Sequence, residues 1–597
     1  MHRMPFGAAV QDGAVRFALW APAARSVDVA LERETLALTP HGDGWFNVIV
    51  PGCRGGARYR FIIDQTMAVP DPASRFQPEG VHGPSEVIDP TAYQWCDDAW
   101  AATLWHELVF YELHVGAFTP QGTYRAAIEK LDLLVDLGIT AVELMPLGES
   151  AGARGWGYDG VYPFAPESRY GRPEDLKAFV EAAHRKGLAV FLDVVYNHFG
   201  PEGNYLSRYA PQFFTDRHRT PWGTAIDFEG APEVRRYFLD NALYWTLEFG
   251  FDGLRLDAVH AMFDGPRREM LDEIGTTLIA AGKATRDGRA YVVLENDGNS
   301  VRLLQRFAAQ WDDDVHHPLH LLLTHEADGY YADYLSAPAG LLARALTEGF
   351  AYQGERSLFR GGMVRGEPSN ALQPASFVTF LQNHDQIGNR AFGERIGQLV
   401  PLERVSAAAA LLLLAPSLPL LFMGEEWAAS SPFLFFCDFE PELARRVRDG
   451  RRAEFASFSE FSQAHARERI PDPCSVDTFE RSRLDWSERD FEPHRSMLRC
   501  YTELLSLRRK AIVPLVATER TDASFFTVPH APAFTATWSF AGGASLSVWA
   551  NLGDEPVDVS GTSQPALQAP PLYRANAAAW RLGSPLPPWS VIWYRQT

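Results

Sequence analysis

The stretch Gly250-Phe-Asp-Gly-Leu-Arg-Leu-Asp-Ala-Val-His260 is an apolar run that carries charged residues near its end. Alternate residues of a β-strand share one face, so a strand here directs Arg255 and Asp257 the same way. Neither residue belongs in a core without a partner. A guanidinium beside a carboxylate keeps the carboxylate ionised and oriented, which suits a nucleophile, although a structural ion pair has the same pattern. The stretch therefore predicts a strand that ends at a functional site or at a buried ion pair.

Seven other apolar runs lie around this one and alternate with amphipathic helical segments, which is typical of parallel strands joined by crossover helices. Eight such units predict a closed (β/α)8 barrel. The predicted strands are Val109–His114, Ala141–Met145, Ala189–Tyr196, Phe251–Asp257, Tyr291–Glu295, Ala308–Trp311, Ser376–Gln382 and Leu418–Met423. The predicted helices include Tyr124–Leu137, Pro173–Lys186, Glu233–Phe249, Pro266–Ala281 and Leu402–Ala415.

The pattern changes on both sides of the barrel. Short alternating strands separated by Gly, Pro and Asp predict an N-terminal β-sandwich over residues 1–95 and a C-terminal β-sandwich over residues 512–597. The barrel then occupies residues 96–511, with an inserted loop region at about 199–230 that is rich in Pro, Gly and aromatic residues.

The composition limits the possible functions. The chain has 597 residues, a formal net charge of -20, 46% hydrophobic and 12% aromatic residues. The negative charge argues against nucleic acid and anionic membranes as partners, because both favour basic surfaces. The five cysteines are scattered without CxxC spacing, and the N-terminus carries no apolar signal core, so we expect a cytoplasmic protein. The uncharged run from Val405 to Met423 contains two prolines and fits a buried helix, a loop and a strand better than a membrane span.

The polar residues that end the apolar runs indicate the chemistry, because active sites of such barrels lie at the carboxyl ends of the strands. They are Asp193, Asn197, His198, Arg255, Asp257, His260, Glu295, Asn383, His384 and Asp385. Two carboxylates about 5 to 5.5 Å apart let one attack an anomeric carbon while the other protonates the leaving oxygen. Taken singly, each acid also fits a helix cap, His198 fits a structural histidine, and Trp156 and Tyr158 fit core aromatics. Glu425 and Glu426, after the eighth run, fit loop ion pairs.

The joint pattern resembles the alpha-amylase superfamily of glycoside hydrolases. Asp193-Val-Val-Tyr-Asn-His198, Gly253-Leu-Arg-Leu-Asp-Ala-Val-His260, Glu295 and Asn383-His-Asp385 are similar to the four short motifs of that superfamily, in the same order. The resemblance implies that Asp257 is the nucleophile, Glu295 the general acid/base and Asp385 the third carboxylate, which holds the distorted sugar ring. Glu295 is followed by Asn-Asp-Gly-Asn, which departs from the usual neighbours and puts nearby sugar contacts in question.

The resemblance also implies the substrate contacts. Arg255, His198 and His384 are expected to contact the nucleophile or the hydroxyls of the cleaved ring, and Tyr158, with Trp156 beside it, to form the aromatic platform under the sugar. His260, Asn389, Arg390 and the loop around Glu394-Arg395 are hypotheses for the leaving-group side.

Within the superfamily, four stretches are most similar to the trehalohydrolases that cleave the α-1,4 bond next to the terminal trehalose unit of maltooligosyl trehalose. These are Glu112–Gly122, Trp156–Tyr162, Gly200–Tyr205 and Phe380–Arg390. The resemblance implies no metal and no cofactor, and it implies a maltooligosyltrehalose synthase as metabolic partner. A glucan-branching transferase, a general amylase or debranching hydrolase, and a non-catalytic glucan-binding scaffold are the alternatives.

Overall fold

A closed barrel of eight parallel strands forms the centre of the protein. The computed structural model describes residues 4–96, 100, 103–220, 223–262, 269–286, 288–559 and 570–596. The barrel strands, labelled β1–β8, are Phe110–Leu113, Ala141–Leu144, Ala189–Val194, Gly253–Leu256, Ala290–Leu294, Phe307–Trp311, Phe377–Phe380 and Leu418–Phe422. They pair in chain order, and β8 pairs with β1 to close the barrel.

The eight predicted strands all lie at these positions, because strands buried on both faces consist of nearly continuous apolar residues. The predicted helices are present with two differences. Tyr124–Leu137 is divided into Tyr124–Ile128 and Leu131–Leu137, and the helix that begins at Pro232 changes to a π-helix at Tyr244–Glu248. The predicted start at Pro266 lies outside the described residues, which resume within the helix Glu269–Ala280.

Helices surround the barrel and connect its strands. The α-helices of the barrel region are Val115–Phe118, Tyr124–Ile128, Leu131–Leu137, Pro173–Arg185, Leu206–Tyr209, Pro232–Leu243, Glu269–Ala280, Asp313–Thr324, Pro338–Glu348, His384–Gly388, Ile396–Leu399, Leu402–Leu413, Pro441–Glu454, Ala464–Glu468, Val476–Arg481, His494–Leu507 and Val513–Val516. A second π-helix, Arg508–Ile512, joins the last two.

Two antiparallel sheets precede the barrel and form the predicted N-terminal sandwich. One sheet contains Gly7–Gln11, Ala14–Trp20, Thr39–His41 and Trp45–Pro51, and the other contains Val27–Leu31, Thr35–Ala37, Arg58–Ile63, Met67–Val69 and Ser85–Glu86. Phe17 of the first sheet meets Tyr59 of the second with ring centroids 4.9 Å apart. The core of this unit therefore lies between its sheets.

The last part of the chain is all-β, as predicted, but its described residues form one five-stranded antiparallel sheet and not the two packed sheets of the predicted sandwich. Its strands are Arg520–Thr527, Ala533–Phe540, Ser545–Asn551, Tyr573–Ala575 and Ser590–Gln596. One face packs against barrel helices, where the Trp593 indole N–H donates to the Ala410 carbonyl at 2.9 Å. The other face carries a separate buried cluster that includes Trp549 and Trp580. The limits 95/96 and 511/512 between the three units remain predictions.

The region between β3 and β4 contains a small hairpin. Its strands are Phe214–Thr220 and Gly223–Ile226, preceded by the short helix Leu206–Tyr209. The uncharged run Val405–Met423 is divided between the helix Leu402–Leu413 and strand β8. No helix in the described ranges combines the length and the apolar character needed to cross a membrane.

Candidate active site

One buried arginine holds three carboxylates together at the carboxyl end of the barrel. Parallel pairing of β3 and β4 places Asp193 opposite Arg255. Arg255 Nη1 lies 2.7 Å from Asp193 Oδ2 and 2.8 Å from Asp257 Oδ1, and its Nη2 lies 2.7 Å from Glu295 Oε2. The Arg255 side chain is 1% exposed, while those of Asp257 and Glu295 are 11% and 22% exposed. The guanidinium is therefore below the surface, and two acids above it reach the cleft.

Asp257 is held as a carboxylate. Burial alone would raise its pKa, but the Arg255 guanidinium and the Asn197 amide outweigh burial, and the pKa lies below the usual range. Asn197 Nδ2 donates to Asp257 Oδ2 at 2.7 Å. With one oxygen bound by Arg255 and the other by Asn197, the carboxylate has a fixed orientation.

The pKa of Glu295 is shifted in the opposite direction to that of Asp257. Burial raises its pKa well above the usual range, and the nearby Asp257 and Asp385 add to this shift although Arg255 opposes it. Glu295 Oε2 also accepts from the backbone N–H of Ala258 at 2.9 Å. Ala258 has φ +39°, a left-handed conformation that costs a non-glycine residue about 1 to 3 kcal/mol. This strained backbone lies directly after Asp257 and links the two acids.

A second group of side chains forms the wall next to Asp193. The Tyr158 hydroxyl donates to Asp193 Oδ2 at 2.6 Å, and the backbone carbonyl of Tyr158 lies 3.0 Å from His198 Nε2. Burial raises the pKa of Asp193 to about 6 although Arg255 opposes this shift. The His384 ring stacks on Tyr158 with centroids 5.1 Å apart.

His384 is held by Glu112 of β1. Its Nδ1 lies 2.5 Å from Glu112 Oε1, and its backbone N–H donates to Glu112 Oε2 at 3.0 Å. Burial would lower the pKa of His384, but the ion pair with Glu112 outweighs it, and the net shift is upward. Sequence reasoning missed Glu112, although an acid inside a buried strand is an informative signal.

Trp156, a predicted substrate contact, is packed among other aromatic residues. Its ring is buried, lies 5.3 Å from the Phe433 ring in a stacked arrangement, and donates its indole N–H to the Leu434 carbonyl at 2.9 Å. This burial favours the alternative of a core aromatic, and the contact of Trp156 with the sugar stays a prediction. Tyr158 is half-buried, and its role as the sugar platform also stays a prediction.

A cavity of about 430 Å³ lies beside Asp385. Asn389 Nδ2 donates to Asp385 Oδ1 at 2.7 Å, and Arg390 forms two bonds of 2.6 and 2.9 Å with Glu326. The cavity is also lined by aromatic residues that the sequence did not point to, among them Tyr330, Tyr331, Phe455, Phe458 and Phe461. Aromatic faces together with a few fixed polar groups are typical of small-molecule and sugar sites.

The other residues predicted on the leaving-group side have different positions. Glu394 lines the cavity and also contacts Arg390 at 3.2 Å. Arg395 is buried and donates to the carbonyls of Met423 and Ser431, so it stabilises a loop below the cleft. His260 is exposed on the loop after β4, where its Nδ1 accepts from the Asp297 N–H at 3.4 Å.

Comparison with known proteins identifies the family. The family models that match are Carbohydrate-binding module 48 (Isoamylase N-terminal domain) over residues 5–92, Alpha amylase, catalytic domain, over residues 88–220, and a domain of unknown function (DUF3459) over residues 522–593. A malto-oligosyltrehalose trehalohydrolase of Deinococcus radiodurans is 47% identical over 500 residues, which cover 83% of this chain and 81% of the relative. The chain belongs to the malto-oligosyltrehalose trehalohydrolase family. A second member, from Saccharolobus solfataricus, is 40% identical over 85% of this chain and 87% of its own length.

A solved structure is similar to this chain over its whole length. The crystal structure of a putative alpha amylase from Salmonella typhimurium is 41% identical and superposes with a TM-score of 0.93 over 100% of both chains. The chain is a glycoside hydrolase built on a (β/α)8 barrel between two all-β units. The predicted superfamily and fold class are confirmed.

Proposed function

We propose that the protein hydrolyses the α-1,4-glucosidic bond next to the terminal trehalose unit of malto-oligosyl trehalose and releases trehalose with retention of configuration. One observation carries the proposal: a single guanidinium contacts two carboxyl groups whose pKa values are shifted in opposite directions. Arg255 and Asn197 lower the pKa of Asp257, which favours its carboxylate form, whereas burial raises the pKa of Glu295, which favours its protonated form. Paired acids with separated pKa values divide into a nucleophile and an acid/base.

The proposed reaction has two displacements. The Asp257 carboxylate attacks the anomeric carbon, the glycosidic bond breaks, and Glu295 gives its proton to the departing oxygen of trehalose. Glu295 is then a carboxylate and removes a proton from water, which attacks the anomeric carbon and releases Asp257. Asp385 is proposed to bind hydroxyls of the distorted ring, and the Asn389 amide orients it.

The cavity beside Asp385 supports a site for the leaving trehalose. It is lined by residues of the segments after β6, β7 and β8, several of them aromatic. Its polar residues Asn389, Arg390 and Glu326 are already fixed by one another or by Asp385. Because Arg390 is bound by Glu326, we propose that it presents a preorganised guanidinium edge to trehalose hydroxyls. Arg390→Ala is expected to reduce the preference for malto-oligosyl trehalose over a malto-oligosaccharide of equal length by about tenfold, at about 1.5 kcal/mol for a lost charged hydrogen bond. An unchanged ratio of kcat/KM values would remove Arg390 from the proposal.

The proposal extends to the setting of the enzyme. A cytoplasmic location is favoured by the scattered thiols, and the formal net charge of -20 argues against nucleic acid or membrane partners. The substrate carries a trehalose unit at the end of an α-1,4-glucan, so a malto-oligosyltrehalose synthase is proposed as its source.

Product analysis tests the function. The purified protein is incubated with malto-oligosyl trehalose and, separately, with a malto-oligosaccharide of equal length, and the products are separated by chromatography. Rapid release of trehalose from the first with slow attack on the second supports the proposal. Equal cleavage of both indicates a general amylase, and longer or branched products indicate a branching transferase. Asp257→Ala serves as the inactive control, because it is expected to lose several powers of ten in turnover.

A further inference from the structure

Two of the five cysteines lie in contact, although they are far apart in sequence. Cys437 Sγ lies 3.4 Å from Cys474 Sγ, and the two residues are 37 positions apart. The Cys437 backbone N–H donates to the Pro473 carbonyl at 3.0 Å, so the two backbone stretches are neighbours at the thiols. Cys437 is 1% exposed, whereas Cys474 is half-buried. A small molecule from solution therefore has access to Cys474 before Cys437.

Further contacts hold the two stretches together on both sides of the thiols. The Arg154 guanidinium donates to Asp438 Oδ1 at 2.9 Å and also to the backbone carbonyl of Cys474. The Leu434 backbone N–H donates to Ser482 Oγ at 3.0 Å. Because the backbone is fixed before and after the pair, the two sulfur atoms are kept close to each other.

The two thiols have different reactivity. A hydrogen bond from the Cys437 thiol lowers the pKa of Cys474, although burial opposes this shift. The same hydrogen bond, together with burial, raises the pKa of Cys437. Since the thiolate is the nucleophile in thiol chemistry, Cys474 is the first thiol to react with an oxidant. Cys437 is then in contact with the sulfur that has reacted.

We propose that Cys437 and Cys474 form a reversible disulfide and that a small-molecule disulfide is the oxidant. The Cys474 thiolate attacks one sulfur of the small disulfide, whose S–S bond breaks and releases one small thiolate. Cys437 then gives its thiol proton to water and attacks Cys474 Sγ, and the second small thiolate leaves. The two cysteines lose two electrons, and the small disulfide is reduced to two thiols. A disulfide bond is about 2.05 Å long, so the two sulfurs approach by only about 1.4 Å.

This disulfide closes a loop that carries one wall of the cavity beside Asp385. The loop contains the helix Pro441–Glu454 and the ring of Phe455, which lines that cavity. A cross-link at the base of a loop limits the freedom of its opened state, so the oxidised loop opens less often. The described residues that line the cavity include neither cysteine, so the disulfide leaves the cavity lining in place.

Mass spectrometry after treatment with oxidised glutathione tests the bond. Wild-type protein is expected to become about 2 Da lighter and to give a peptide pair that joins Cys437 to Cys474, and dithiothreitol is expected to reverse both changes. Cys437→Ser blocks the second attack, so a glutathione adduct is expected to stay on Cys474. Cys474→Ser is expected to lack both products. Cys53→Ser is the matched control, because Cys53 is also half-buried but lies in the N-terminal unit, and it is expected to form the bond as the wild type does.

Trypsin digestion of native protein tests the effect on the loop. Arg445 and Arg446 are exposed on the helix Pro441–Glu454, and their cleavage requires the helix to open. Oxidation is expected to slow this cleavage about three- to tenfold in the wild type and in Cys53→Ser, and to leave it unchanged in Cys474→Ser.

The results that would overturn the proposal are specific. They are a stable glutathione adduct on wild-type Cys474 without the cross-link, a cross-link to another cysteine, no reaction with oxidised glutathione, or equal cleavage rates for the oxidised and reduced wild type. All are measured on the wild-type chain, so they stand even where a variant folds poorly. Neither readout depends on the glycosidase reaction.

Discussion

Replacing Arg255 with lysine is expected to disturb the contacts that hold both proposed catalytic acids, Asp257 and Glu295. The guanidinium makes three charge-assisted contacts of 2.7, 2.8 and 2.7 Å with Asp193, Asp257 and Glu295. A lysine ammonium keeps the charge but is a single point, so it cannot reproduce the planar fork. At least one contact is lost, which costs about 1.5 to 3 kcal/mol for a hydrogen bond to a charged group. Because 1.36 kcal/mol is tenfold in rate, kcat/KM is expected to fall about 10- to 150-fold.

The pH dependence separates this effect from simple damage to the fold. Arg255 opposes the burial that raises the pKa of Asp257 and brings that pKa below its usual value. Asp257 must be ionised to attack, so activity is lost as the pH falls through its pKa. In Arg255→Lys this pKa rises, and the acid limb of the kcat/KM profile moves to higher pH. The assay is trehalose release from malto-oligosyl trehalose between pH 3 and 9.

The matched control is Arg446→Lys. Arg446 pairs with Glu442 four residues earlier on the helix Pro441–Glu454, and both side chains are 72% exposed. Exposed pairs of this kind contribute little, so its activity and acid limb are expected to match the wild type. A folded Arg255→Lys enzyme with a rate within twofold of the wild type and an unmoved acid limb would refute the assigned role of the guanidinium.

Three further predictions concern neighbouring groups. Glu295→Gln cannot protonate the leaving oxygen, so kcat is expected to fall about 10² to 10⁴-fold with trehalose as leaving group; a loss below tenfold would exclude Glu295 as the acid. The centre of the Trp311 ring lies 4.1 Å from the Arg255 guanidinium. Trp311→Leu is therefore expected to lower kcat/KM about tenfold and to move the acid limb of the pH profile to higher pH, whereas Trp311→Phe is expected to keep most of the wild-type kcat/KM and acid limb. Equal pH profiles for the two variants would contradict a positioning role for Trp311. Burial raises the pKa of Glu425 from 4.5 to about 8, so the free energy of unfolding falls as the pH rises through that range. The free energy of unfolding in urea is measured at pH 5 and pH 8.5, and the difference between the two pH values is expected to be smaller in Glu425→Gln than in the wild type. An equal difference in the two proteins would contradict this prediction.

The sequence was sufficient to predict the barrel and its acids because both depend on local patterns. Each barrel strand is a short apolar run, and the polar residue at its carboxyl end meets the others by the geometry of parallel strands. Asp257, Glu295 and Arg255 were predicted in this way, and the structure brings them into contact.

Other parts of the site depend on contacts between residues far apart in the chain. Phe455 and Phe458 reach the cavity beside Asp385 from the segment after β8, and no strand-end signal marks them. Glu425 and Glu426 were expected in loop ion pairs, but they are buried, and their oxygens accept from the hydroxyls of Tyr501 and Tyr111. Burial of this kind follows from tertiary packing, which a local charge pattern does not predict.

The identity of the nucleophile is tested most directly by trapping the covalent intermediate. Glu295→Gln slows hydrolysis of such an intermediate, and a 5-fluoro maltosyl fluoride supplies a leaving group that needs no acid. The variant is treated with this reagent, digested and analysed by mass spectrometry. A glycosyl adduct is expected on the peptide that contains Asp257, and it should be absent in a variant that also carries Asp257→Ala. An adduct on another carboxylate, or hydrolysis with inverted configuration and no adduct, would contradict the account.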